Sequence, residues 1–182
     1  MIDPALYAAR SRMSAATEAP TLRTQRLTLR PHRLSDLAAF GAFRESRRAA
    51  YVMQPDNVTQ LWHSFSSEVG SWTLQGHGGW AIDLGSEFIG QVAIIHPPNF
   101  PEAELGWIIF DDQHEGKGYA HEAARAALDW AWAESGFASL VSYIDRRNTR
   151  SIALAERLGG TEDPQAAVFD EADAVYRHRR PA

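Results

Sequence analysis

Residues 103 to 133, AELGWIIFDDQHEGKGYAHEAARAALDWAWA, constrain the fold more than any other stretch of the chain. The apolar run 103 to 110 reads as a strand, and Ala120, Ala123, Ala124, Ala127 and Ala131 recur at helical spacing. That spacing predicts a helix from about Gly118 to Ala133, whose narrow face of small residues can lie close to a sheet. Between strand and helix stands a charged loop with Lys117 held between Gly116 and Gly118. Where such a loop turns into a helix, unpaired backbone N–H groups and the positive end of the helix dipole converge, which suits an anion. The two glycines let a phosphate approach the main chain and allow positive φ. An ordinary glycine-rich turn would have the same spacing, so both readings stand at this level.

The flanks differ in pattern. Ahead of the loop, RLTLRPH alternates Leu27 and Leu29 with Thr28 and Arg30 as a half-buried strand closed by Pro31. Ser35 is expected to cap a helix from Asp36 to about Phe43. Val58, Leu61, Trp62, Phe65, Val69 and Trp72 predict a second amphipathic helix behind Asn57 and Thr59. GHGG (76 to 79) stops it, and WAIDLGSEFIGQVAIIHPP reads as a hairpin about Gly85-Ser86. After the loop the order becomes strand (139 to 144) and helix (151 to 158), stopped by Gly159-Gly160. AAVFDEADAVYRHR is expected to close the chain as a hairpin with Asp170 to Asp173 in its turn. The result is a mixed α/β sheet in one domain, residues 25 to 182, behind a flexible or appended segment, residues 1 to 24.

Composition excludes several function classes. The chain has 182 residues, 45% of them hydrophobic, enough for one buried core. It has no cysteine, so disulfides, thiolate zinc sites and a cysteine nucleophile are out, and a cytoplasmic location is expected. A formal charge of −5 disfavours a broad grip on nucleic acid and suits an amine. No run approaches a membrane span, and the first 20 residues lack a secretory signal's apolar core. The seven histidines are scattered, so no metal is expected. The phosphate loop of NTPases fails because Gly118 follows Lys117 where a magnesium-binding hydroxyl should stand. The dinucleotide fingerprint fails because His121 replaces its third glycine.

Gln113-His-Glu-Gly116-Lys-Gly118-Tyr-Ala120 resembles the Q/R-x-x-G-x-G/A signature of the GCN5-related N-acetyltransferases, and AELGWIIF is similar to their fourth strand. NTRSIALAERLGG (148 to 160) resembles the Asn-x-x-Ser helix of the branch containing the ribosomal-protein N-terminal acetyltransferases. RLTLRPHRLSDL and DAVYRHR are similar to that branch's opening and closing elements. The likeness covers about residues 25 to 180 and implies the family's fold, a twisted mixed sheet with splayed parallel fourth and fifth strands flanked by about four helices.

The resemblance also implies acetyl-CoA as co-substrate and a primary amine, peptidyl or small, as acceptor, in a monomer or homodimer. By motif position Gln113, Gly116, Lys117, Gly118, Tyr119 and Ala120 would hold the pyrophosphate, and main-chain groups of Ile108 and Phe110 would pair with the pantetheine arm. Asn148 and Ser151 would contact it from the far side, with Arg146, Arg147 and Arg150 candidates for the 3′-phosphate. Glu104 is the candidate base, against a plain surface carboxylate at a strand start. The position where many members carry a proton-donating tyrosine is Ala155, which leaves Ser151 as donor to the thiolate or as a helix cap. Tyr143 and Tyr176 are further candidates for that acid. Tyr51, Trp62, Trp72 and Tyr176 are expected at the acceptor pocket. The departure at Ala155 leaves open a CoA-binding regulatory module without turnover.

Overall fold

Leu27 and Leu29 point to the core while Thr28 and Arg30 take the other face, and this alternation forms β2 (Leu27–Arg30) of an eight-stranded sheet. The computed structural model describes residues 18–52, 57–168 and 170–181. β1 (Leu22–Arg23) pairs with β2, Leu22 opposite Leu29, so the sheet begins inside the segment expected to be appended. Ala19 is buried and the Pro20 carbonyl accepts from Trp80 Nε1 at 2.8 Å, which ties that stretch to the core.

β3 (Gly79–Leu84) and β4 (Glu87–Ile95) form the expected hairpin, turning through Gly85 at φ 62°. β5 (Glu104–Ile109), β6 (Ser139–Asp145), β7 (Thr161–Glu162) and β8 (Asp173–Arg179) complete the sheet in the order β1-β2-β3-β4-β5-β6-β8-β7. Among the described residues only the β5–β6 pair is parallel.

The helices are α1 (Leu37–Arg44), α2 (Val58–Gln75), α3 (Tyr119–Trp130) and α4 (Thr149–Arg157). Asn57 caps α2 as expected, its side chain accepting from Gln60 N–H. Gly76, at φ 72°, ends it. Ala123, Ala124, Ala127 and Leu128 of α3 are fully buried against Trp80, Val92, Ile94 and Leu105, the core of the molecule. The opposite sheet face carries Gly79, Ala93, Gly106 and Glu104, and α2 crosses it over β3 and β4.

Two sequence expectations are corrected. Ser35 does not cap α1, because a 3-10 turn, Leu34–Asp36, precedes it. Asp36 is buried there, accepting from Arg30 Nη1 at 2.7 Å and from Arg33 N–H at 2.8 Å. The closing hairpin does not use Ala166 to Val168 as its first arm. Val168 is exposed and irregular, Phe169 lies outside the described residues, and β8 pairs instead with β7, Thr161 opposite Arg177.

Candidate active site

Backbone parity decides what β5 can offer a ligand. The Phe110 N–H donates to the Ile89 carbonyl at 2.9 Å, so this residue's main chain is used on the β4 side. Main-chain groups alternate between strand edges, so those of Ile108 also face β4, and those of Leu105, Trp107 and Ile109 face β6. The main-chain groups that face the gap are therefore those of Trp107 and Ile109, one residue away from the expected Ile108 and Phe110, whose groups face β4.

The two parallel strands part almost at once. Val141 N–H donates to the Ala103 carbonyl at 3.0 Å, and Glu104 opposite Val141 is the single paired position. At the next step the Leu105 carbonyl receives the Ser142 hydroxyl at 2.7 Å instead of a backbone N–H. With its proton used there, Ser142 Oγ accepts from His178 Nε2 at 3.1 Å, which fixes the imidazole tautomer. Burial, with Arg125 adding to it, pushes His178 down to about 4, so the ring is neutral. Beyond this wedge, β5 and β6 splay and leave a cleft of about 730 Å³.

The glycine loop forms one end of that cleft. Asp111 accepts from Gln113 N–H at 2.8 Å and starts a 3-10 turn, Asp112–His114. Gly116 and Gly118 follow at φ 71° and 82°, conformations that suit glycine alone. The Gly118 carbonyl accepts from Glu122 N–H at 3.0 Å, so the helix opens at Tyr119 and Gly118 has no side chain to cap it. The N–H groups of Tyr119, Ala120 and His121 thus have no intrahelical acceptor and stand at the cleft wall. Free N–H groups of this kind can receive anionic oxygens.

On the far wall Asn148 caps α4, its side chain accepting from Ser151 N–H at 3.2 Å. Ser151 lines the cleft, and its hydroxyl is not needed for the cap. Across the mouth Arg48, on the 3-10 turn Arg47–Tyr51, donates from Nε to the Ile109 carbonyl at 3.3 Å. Its Nη1 pairs with Glu115 at 2.5 Å and with Asp112, while Arg150 holds the other Glu115 oxygen. Arg48 and Glu115 carry no sequence signal of this role, since their partners are distant in the chain.

Glu104 sits at the foot of the splay, on the sheet face opposite α3. Burial pushes its carboxyl up to about 8, with the charges of Glu68 and Asp173 adding to this and the Tyr143 N–H opposing it. Gly106 leaves the space beside it open: a Cβ there would come no closer than 3.9 Å to Glu104 Oε1. Under α2, Glu68 Oε2, both ring nitrogens of His32 and Gln91 Oε1 are buried without hydrogen-bond partners, a polar cluster that the helical pattern hides.

Of the other expected residues, Gly116, Gly118, Tyr119, Ala120, Asn148, Ser151, Ile108 and Tyr51 line the cleft. Lys117 contributes its carbonyl to Arg26, and Gln113 Nε2 turns to Glu87 at 3.4 Å. Phe110 borders an adjoining pocket of about 440 Å³. Trp62 is exposed on α2 outside the cleft. Trp72 is a core residue, edge-on to Trp80 at 4.6 Å and Trp130 at 5.2 Å, with Nε1 donating to the Gly79 carbonyl. Tyr176 packs with Ile144, Ala155 and Ala174 on the α4 side, so neither ring forms an acceptor wall beside Glu104. The Tyr143 hydroxyl accepts from Glu102 N–H at 3.1 Å, and burial raises it to about 12, which makes it a poor acid. Among the described residues no three His, Asp or Glu groups are arranged for a metal, and no helix is long and apolar enough to cross a membrane.

The crystal structure of an acetyltransferase from Agrobacterium tumefaciens str. C58 is 47% identical, covers 88% of this chain and 95% of its own, and superimposes with a TM-score of 0.85. YkkB of Bacillus subtilis (strain 168), an uncharacterised protein, is 31% identical over 118 residues, 60% of this chain and 68% of its own. The Microcin C7 self-immunity acetyltransferase MccE, solved in complex with acetyl-CoA and AMP, shares the fold at 15% identity, covering 86% of this chain and 93% of its own, with a TM-score of 0.67. Residues 26–161 match the acetyltransferase (GNAT) domain, and the chain belongs to that family.

Proposed function

We propose that the protein transfers an acetyl group from acetyl-CoA directly to a primary amine, with Glu104 as general base. The observation that carries this reading is the placement of a perturbed carboxylate at the last paired position of β5 and β6, where the gap between them begins, while free N–H groups at the start of α3 line the cleft farther along. The residues fit the co-substrate. The unpaired N–H groups at the start of α3 suit pyrophosphate, and the gap-facing groups of Trp107 and Ile109 suit an amide-bearing arm added as a strand. When bound, acetyl-CoA supplies the thioester that the amine attacks.

The chain's own groups manage the protons. An α-amine with a pKa near 8 is about a tenth neutral at pH 7, and Glu104 at about 8 is ionised to a similar extent there. A base matched to its acceptor in this way takes the amine proton without a large energetic gap. Ser151 stands on the opposite wall with its hydroxyl available to hydrogen-bond the departing thiolate, a role that buried Ala155 cannot fill. The free acceptor amine is a peptide N-terminus or a small molecule.

A thiol-release assay with acetyl-CoA and a panel of amino acids, polyamines, aminoglycosides and Ser- or Ala-started peptides tests this function. Release that depends on one acceptor class, with the acetyl group recovered on its nitrogen by mass spectrometry, is the expected result. Binding of acetyl-CoA with no release for any acceptor would instead make the chain a CoA-binding module.

A further inference from the structure

We infer that Arg26, on the turn between β1 and β2, is the positioning residue that sets the phosphate loop in its binding shape. This rests on the anion-binding reading of the loop. Arg26 heads the RLTLRPHRLSDL segment, and its guanidinium lies against the loop from outside the cleft. Nη1 donates to the Lys117 carbonyl at 2.9 Å, between the two left-handed glycines. Nε and Nη2 reach Glu122 Oε2 at 2.7 and 2.6 Å, and the guanidinium lies over the Tyr119 ring at 4.6 Å from its centroid. A Cβ on Gly118 would stand 3.4 Å from Nη2.

Glu122 completes the clamp from the first turn of α3. Its Oε1 accepts from Arg26 N–H at 2.9 Å and from the Thr24 hydroxyl at 2.5 Å. One side chain therefore holds the peptide before Gly118, the ring after it and the helix that follows. The geometry does two things. Fixing the Lys117 carbonyl outward leaves the N–H groups of the loop turned toward the cleft, and neutralising Glu122 removes an acidic charge from beside an anion site. A lysine could supply the charge but not the fork or the stacking.

Arg26→Ala and Arg26→Lys test this against the parent by calorimetric titration with CoA and by NMR titration with S-acetylpantetheine, which lacks the pyrophosphate and adenosine. The expected result is CoA affinity about tenfold weaker in both variants, unchanged affinity for S-acetylpantetheine, and faster amide exchange confined to residues 116 to 120. CoA affinity unchanged in Arg26→Ala would overturn the inference. So would Arg26→Lys matching the parent, which would make charge the whole effect, or equal losses for both ligands, which would make the damage general. A parent that does not bind CoA at all would overturn the reading of the site itself, a different outcome from any of these.

Discussion

Glu104 carries the chemistry in this account, and its raised pKa gives the reaction a pH signature. Because the carboxyl is pushed up to about 8, its basic form grows as pH rises through 8, so kcat/KM should climb to a plateau above that value. Glu104→Gln should keep CoA affinity, lower turnover about 10²-fold at neutral pH, and recover part of the loss at high pH as the amine deprotonates unaided. A pH–rate series on both proteins checks this; identical profiles from pH 6 to 9 would remove Glu104 from the mechanism. Ser151 and Asn148 separate just as cleanly. Since Asn148 supplies the cap, Asn148→Ala should lower stability by about 1 kcal/mol. Ser151→Ala should leave the melting temperature nearly unchanged and slow kcat about tenfold, read by thermal melts alongside steady-state kinetics. Gly118→Val combines a forbidden backbone angle with crowding against Arg26, and calorimetry should show CoA binding weakened tenfold or more.

Among the elements, the β5–β6 fork decides where the cleft opens, and Ser142 decides where the fork starts. Ser142→Ala would leave the Leu105 carbonyl and His178 Nε2 buried without partners, at about 1–3 kcal/mol for each such group. Urea denaturation should show a loss of that order, and a midpoint equal to the parent's would mean the wedge is not structural. The strand, loop and helix from 103 to 130 were legible because their signals are local: an apolar run, two glycines and a stripe of alanines. Which edge of β5 faces the gap was not, because that depends on Phe110 meeting Ile89 across a strand pair. Trp72 and Tyr176 were misplaced for the same reason. An aromatic at helical or strand spacing looks alike in a pocket or a core, and only Trp80, Trp130, Ile144 and Ala155, which lie on other elements, decide. Arg48 and Arg26 reach the loop from other elements, so no spacing rule could find them.

For the whole molecule, the buried charges under α1 should set the acid limit of stability. Burial pushes Asp36 up, but the His32 ring 3.7 Å away and hydrogen bonds from Arg30 and the Arg33 N–H outweigh it and hold the carboxyl well below the usual range. A depressed carboxylate stabilises the fold above its unfolded value, so this contribution is present at neutral pH and is lost as pH falls below about 4. Asp36→Asn leaves Arg30 paired with Asp83 alone and should cost about 1.5–3 kcal/mol at pH 7 while flattening the acid decline, as measured by denaturant titration at several pH values. The central claim, that one cleft takes acetyl-CoA with its phosphates on the glycine loop and its arm along the open edge of β5, is tested most directly by amide chemical-shift mapping. Adding acetyl-CoA to the labelled protein should shift the amides of Gly116 to Ala120, Trp107 and Ile109, and leave those of β1 and β7 in place. Saturating acetyl-CoA that leaves the loop amides unmoved, or moves only residues remote from the cleft, would contradict it.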